Sequence, residues 1–352
     1  MNDRIRIGGA VFVAVCLFLG VQLGALTLVE PFQEAGHQAV DDPEDPTNSV
    51  LYFGIILVAT GFMLAAFKYD LQWMIRGLII AVSVMLAWFV FAEVLPPVVA
   101  YGGVNVVAAV ASLTVGVALY VYPEWYVIDL AGVLIGAGAA GLFGISFGLL
   151  PALVLLAALA VYDAISVYKT EHMLSLAEGV MDLRIPVILV IPMTLSYSHL
   201  ASGATEDVIS EGEGGESDRH HAEGDGGTAD PEPTDEVNDD GSPNGGDDDP
   251  AEDDLERDAL FIGLGDAVIP TILVASAAYF LEAGTLDVPL IALNLPALGA
   301  MVGTIAGLLV LMYMVLQGRA HAGLPLLNGG AIGGYLLGAV ASGVSVVTAL
   351  GF

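Results

Sequence analysis

Apolar residues fall into nine long runs separated by short polar segments: 7–29, 50–67, 77–95, 97–122, 126–150, 151–168, 259–281, 288–316 and 328–350. A run of about 18–25 apolar residues is long enough to cross a bilayer as a helix. The pattern therefore predicts an all-α, polytopic membrane protein with nine transmembrane helices. The first run is too long, and too well followed by others, to be a cleaved leader. A further apolar stretch, 185–197, is too short to cross. It is expected to lie at the interface or pack on the bundle.

Orientation follows from the basic residues, which collect on the cytoplasmic side. With the N-terminus inside, the inner segments are 1–6, 68–76, 123–125, 169–258 and 317–327. All nine Lys and Arg fall there: Arg4, Arg6, Lys68, Arg76, Lys169, Arg184, Arg219, Arg257 and Arg319. The outer segment 30–49 carries acids and no basic residue. This agreement predicts a cytoplasmic N-terminus, an extracellular C-terminus and location in the cell membrane.

Composition sharpens the picture. The chain has 9 Lys+Arg against 40 Asp+Glu, a net charge of -31, yet 56% of it is hydrophobic and its mean hydropathy is +0.77. This excludes a soluble enzyme. It also excludes a nucleic-acid binder, which needs a basic surface. The single cysteine, Cys16, permits no intrachain disulfide. The acids concentrate in residues 201–258, which hold 22 of them. With so little apolar content this insert is expected to be a disordered, solvated linker. It divides the chain into 1–200, with six spans, and 259–352, with three. The general acidity points to a high-salt organism.

Carboxylates inside a bilayer are costly and presumptively functional. Glu93, Glu124, Asp129, Glu282 and Asp287 read as residues at span ends. Asp163 lies inside the sixth span and Asp266 inside the seventh. At 1.5 Å per residue they sit roughly 9 and 12 Å below the inner surface, on consecutive antiparallel spans. No Lys or Arg shares that depth. Two carboxyls this close cannot both ionise easily, so one acts as base and the other as acid. That is the requirement for peptide hydrolysis by a water held between two Asp, without metal, cofactor or covalent intermediate. Gly263 and Gly265 remove side chains beside Asp266 and make local unwinding cheap. A protease acting on a membrane helix must hold it extended, and strand addition to exposed backbone is one way to do so.

Tyr162-Asp163 and Gly263-Leu264-Gly265-Asp266 resemble the paired motifs of the presenilin and signal peptide peptidase family, and of its archaeal presenilin homologues in particular. The flanks 162–168 and 176–181 look similar as well. The resemblance implies an intramembrane aspartyl protease with Asp163 and Asp266 as its catalytic pair. It implies transmembrane-helix substrates with their N-terminus outside, and action without accessory subunits. The family's third motif, Pro-Ala-Leu, has three candidates. Pro151-Ala152-Leu153 opens the sixth span on the outer side and reads as a first-turn proline. Pro296-Ala297-Leu298 reads as a kink in the eighth span. Ala322-Gly323-Leu324-Pro325 stands before the ninth span at the level of the two Asp, and is chosen by position. By resemblance, Gly323, Leu324 and Pro325 shape the site together with Tyr162, Gly263, Leu264 and Gly265. Tyr162 equally suits aromatic packing on the sixth span.

Other signals carry less. Gly144-Ile145-Ser146-Phe147-Gly148 has the spacing of a serine-hydrolase elbow but lies in a membrane helix, where small residues serve close packing. No His-Glu-x-x-His occurs, so no zinc protease is expected. His321 lies beside the third motif and could tune pH dependence. The competing reading is a proton- or cation-coupled transporter or channel using the same two acids. It predicts symmetric halves, and no internal repeat is visible. A prepilin-type peptidase also uses Gly-x-Gly-Asp, but the topology and the Tyr-Asp pair disfavour it.

Overall fold

The computed structural model describes residues 3–40, 42–69, 71–167, 188–192, 259–317 and 322–351. The acidic insert, the flank 176–181 and His321 lie outside these residues.

Among the described residues, six helices are long and apolar enough to cross a membrane. They are α1 (Asp3–Glu34), α2 (Thr47–Lys68), α3 (Gln72–Val94), α5 (Trp125–Ser146), α8 (Leu295–Val315) and α9 (Gly323–Ala341). Three shorter apolar helices occupy the fourth, sixth and seventh runs: α4 (Val106–Val121), α6 (Leu149–Ile165) and α7 (Leu264–Phe280). A last turn, α10 (Val346–Ala349), follows α9.

The shortening has local causes. In the fourth run, Pro96 and Pro97 stop helix α3 from continuing, and a hairpin follows. Strands β1 (Ala100–Tyr101) and β2 (Val104–Asn105) pair antiparallel across Gly102 and Gly103. Both glycines have positive φ, +59° and +85°, as a two-residue hairpin turn demands. Asn105 then starts α4, its side chain accepting the amides of Val107 and Ala108. In the eighth run, residues 284–294 form a loop, and α8 begins only at Leu295. Pro296 therefore stands in the first turn, where a missing N–H does no harm, and not at a mid-span kink. Asn294 caps this helix through Ala297 N at 2.8 Å and donates to the carbonyls of Ala277 and Leu281 at the end of α7.

The seventh run also departs from a continuous helix. Its first five residues form strand β4 (Ala259–Gly263), paired antiparallel with β3 (Ile188–Pro192). Strand β3 is the described part of the short stretch 185–197, and it packs on α5.

Helix α7 is surrounded by α1, α5, α6, α8 and α9, so the segment after the insert is threaded into the segment before it. The largest core cluster joins α6, α7, α8 and α9 through Leu153, Leu156, Leu273, Met301 and Tyr335. Helices α8 and α9 meet backbone to backbone. Gly299 and Gly303 of α8 lie directly on the carbonyls of Gly334 and Gly330, and Gly338 lies on that of Leu295. Only small residues allow such an approach, which gives helices packing contacts that lipid cannot replace.

Candidate active site

Asp163 stands near the end of α6 and is buried. Asp266 stands in the first turn of α7, three residues past the end of β4, and is half-buried. Between them runs the start of α9. The amide of Leu324 donates to Asp163 Oδ2 at 3.1 Å. The preceding residue, Gly323, faces the other carboxylate: a methyl group there would sit 3.3 Å from Asp266 Oδ2. Two consecutive residues at the start of α9 thus face the two acids, Leu324 through its amide and Gly323 through the space a side chain would fill. Of the three Pro-Ala-Leu candidates, only Ala322-Gly323-Leu324-Pro325 is brought to them. Pro151 lies in the first turn of α6, where its carbonyl accepts the Ser49 hydroxyl.

The glycines of the second motif have separate uses. Gly263 ends the strand, and a side chain on it would sit 3.6 Å from Asp266 Oδ2. Gly265 lies in the same turn with Ile269 as its nearest neighbour. Leu264 points the other way, onto Gly132 and Gly136 of α5. Pro270, inside α7, has no N–H to give to the carbonyl of Asp266, four residues back. Pro325 sits in the first turn of α9, and Leu324 packs at the edge of the main core. The ring of Tyr162 meets Phe53 of α2 edge-on at 6.2 Å, so its described contact is aromatic packing.

Asp129 stands near the start of α5, as expected of a span-end acid, but it is buried, only 5% exposed, and its Oδ1 accepts the amide of Val190 in β3 at 2.7 Å. Gly144, in the serine-hydrolase-like stretch, is pressed on Ala275 of α7, and the Ser146 hydroxyl bonds to Leu142 O and to the amide of Ala39. Both are packing roles.

A family model described as signal-peptide peptidase, presenilin aspartyl protease matches residues 15–344. The chain belongs to that family. Two solved structures described as a presenilin family intramembrane aspartate protease are similar over nearly the whole chain. One, in space group C222, is 30% identical, with a TM-score of 0.59, covering 94% of this chain and 99% of the other. The second, in space group P2, is 31% identical, with a TM-score of 0.56, covering 93% and 96%. No curated protein matches. The protein is an intramembrane aspartyl protease, a hydrolase embedded in the membrane by many apolar helices. The transporter reading is not favoured by any of these likenesses.

Proposed function

We propose that Asp163 and Asp266 are the catalytic pair and hold the hydrolytic water between them. The observation that carries this is the start of α9, where the Leu324 amide donates to Asp163 and the neighbouring Gly323 faces Asp266 with no side chain between. In this reading the ionised Asp takes a proton from water as its oxygen adds to the scissile carbonyl. The neutral Asp polarises that carbonyl. Transfer of a proton to nitrogen then breaks the C–N bond and expels the amine. No metal or cofactor takes part.

Gly263, Gly265 and Gly323 leave room for backbone beside the acids. Leu264, Leu324 and Pro325 fix the elements that carry them, and Tyr162 packs α6 against α2. An unwound substrate segment adds as a strand to the β3–β4 sheet, whose second strand leads straight to Asp266. The distribution of Lys and Arg supports nine crossings of the plasma membrane with a cytoplasmic N-terminus. By resemblance to presenilins, which share this orientation, its substrates have their N-terminus outside. The protease acts without accessory subunits, and the excess of acids fits a halophilic archaeon.

The test uses purified protein in detergent at high salt and a fluorogenic peptide from a single-span substrate. Asp163→Ala and Asp266→Ala should each lower cleavage by at least about 10²-fold, with the far-ultraviolet circular dichroism unchanged. Retained cleavage in either variant would overturn the assignment. Binding of a hydroxyethylene transition-state analogue to wild type supplies a second readout.

A further inference from the structure

Asp129 is a buried carboxylate with no place in the chemistry described so far. Its single described hydrogen bond goes to the amide of Val190. Val190 pairs with Phe261 across the β3–β4 sheet. In an antiparallel ladder an amide faces either the partner strand or away from it. Since the Val190 amide reaches α5, it faces away from β4, and Asp129 satisfies it from outside the sheet. Burying a carboxylate costs free energy unless donors compensate it. An apolar residue here would pack on the strand without fixing its position along its axis. A hydrogen bond to one amide fixes it.

The same face of α5 seats the catalytic turn. Asp129, Gly132 and Gly136 stand three and four residues apart, on one side of the helix. Methyl groups on Gly132 and Gly136 would each meet a leucine at 3.1 Å. At Gly132 this is Leu189 of β3, and at Gly136 it is Leu264 of α7, with Val268 at 3.2 Å. One helix face therefore holds both the sheet and the turn that carries Asp266.

We propose that Asp129 is a positioning residue that fixes the sheet along α5 and so sets which peptide bond of an extended substrate reaches the two acids. This rests on the assignment of Asp163 and Asp266 and on strand addition to the sheet. A slip of the sheet relative to Asp266 presents a different bond.

The experiment uses the full-length protein and the single-span substrate, with products identified by mass spectrometry and kcat and KM measured separately. Asp129→Asn keeps an oxygen acceptor for Val190. It should cleave the wild-type bond with kcat/KM within about threefold of wild type. Asp129→Leu removes the acceptor. It should spread cleavage over neighbouring bonds and lower kcat by about 10- to 100-fold, the cost of ångström misplacement, while KM moves less. Binding of the transition-state analogue reports that each variant is folded. If Asp129→Leu does not fold, Gly132→Ala serves instead: its methyl displaces Leu189 and should change the product ratio with the fold retained. An unaltered cleavage position and rate in Asp129→Leu, or an unaltered product ratio in Gly132→Ala, would overturn the proposal. So would an Asp129→Asn variant as inactive as Asp163→Ala, which would make Asp129 a reacting acid. Asp163→Ala and Asp266→Ala, assayed alongside, report on the catalytic pair independently.

Discussion

Helices α2 and α5 have the same length, 22 residues, and both are strongly apolar. Yet 67% of the most apolar stretch of α5 is buried in the protein, against 11% for α2. Two helices so alike in apolarity would be buried alike in water. In a bilayer, lipid solvates Leu and Val as well as protein does, so apolarity does not order the layers. Close approach orders them. Helix α5 has Gly136 against Leu264 and Val268, Gly141 where a methyl group would sit 3.3 Å from the carbonyl of Ala25, and Gly144 against Ala275. The glycines of α2, Gly54 and Gly61, have open space around them.

The difference can be broken from either side. Gly144→Val would drive two methyls into the backbone of α7 and should have the larger effect. Such overpacking costs about 3 kcal/mol or more, seen as a fall in thermal midpoint together with loss of cleavage. A valine accepted there without a shift would mean that α5 and α7 do not rely on close approach. Val58→Ala on α2, at a residue 74% exposed, should change stability by less than about 0.5 kcal/mol and leave cleavage as in wild type. The smallest effect lies just before α2. Asp45 accepts the amide of Thr47 at 2.8 Å, and hydrogen bonds from the Thr47 side chain and then its backbone hold its carboxyl below the ordinary carboxylate range. Its stabilisation is thus present above the unfolded-state value near 4 and is lost as pH falls through the lower folded value. The thermal midpoint of Asp45→Ala should lie slightly below that of wild type at neutral pH and converge with it in acid. A gap that persisted in acid would remove the carboxylate from the explanation.

Much of this was legible in the sequence. Long apolar runs have few alternatives to membrane helices, Asp163 and Asp266 stood out by depth, and the Ala322–Pro325 stretch was picked by position among three candidates that the family resemblance suggested. The structure joins these three through Leu324 and Gly323. What escaped is where hydropathy is blind to conformation. Ala-Leu-Phe-Ile at 259–262 is as apolar as the helix it precedes, and a short buried strand cannot be told from helix by periodicity. Its partner, 188–192, lies across the whole acidic insert, so no local signal links them. The burial of Asp129 was not legible, because distance from a span end says nothing of what the helix packs against. Pro296 was read as a kink because the apolar loop before α8 looked like more helix.

The glycine contact between α8 and α9 has a mechanical consequence. Two backbones that touch at Gly299, Gly303, Gly334 and Gly338 have no cushion of side chains to absorb relative sliding. Helix α9 is thereby seated on α8 along its length, and its first turn carries the amide that donates to Asp163. The placement of the Leu324 amide beside Asp163 is therefore set by the fit of two bare backbones rather than by side chains.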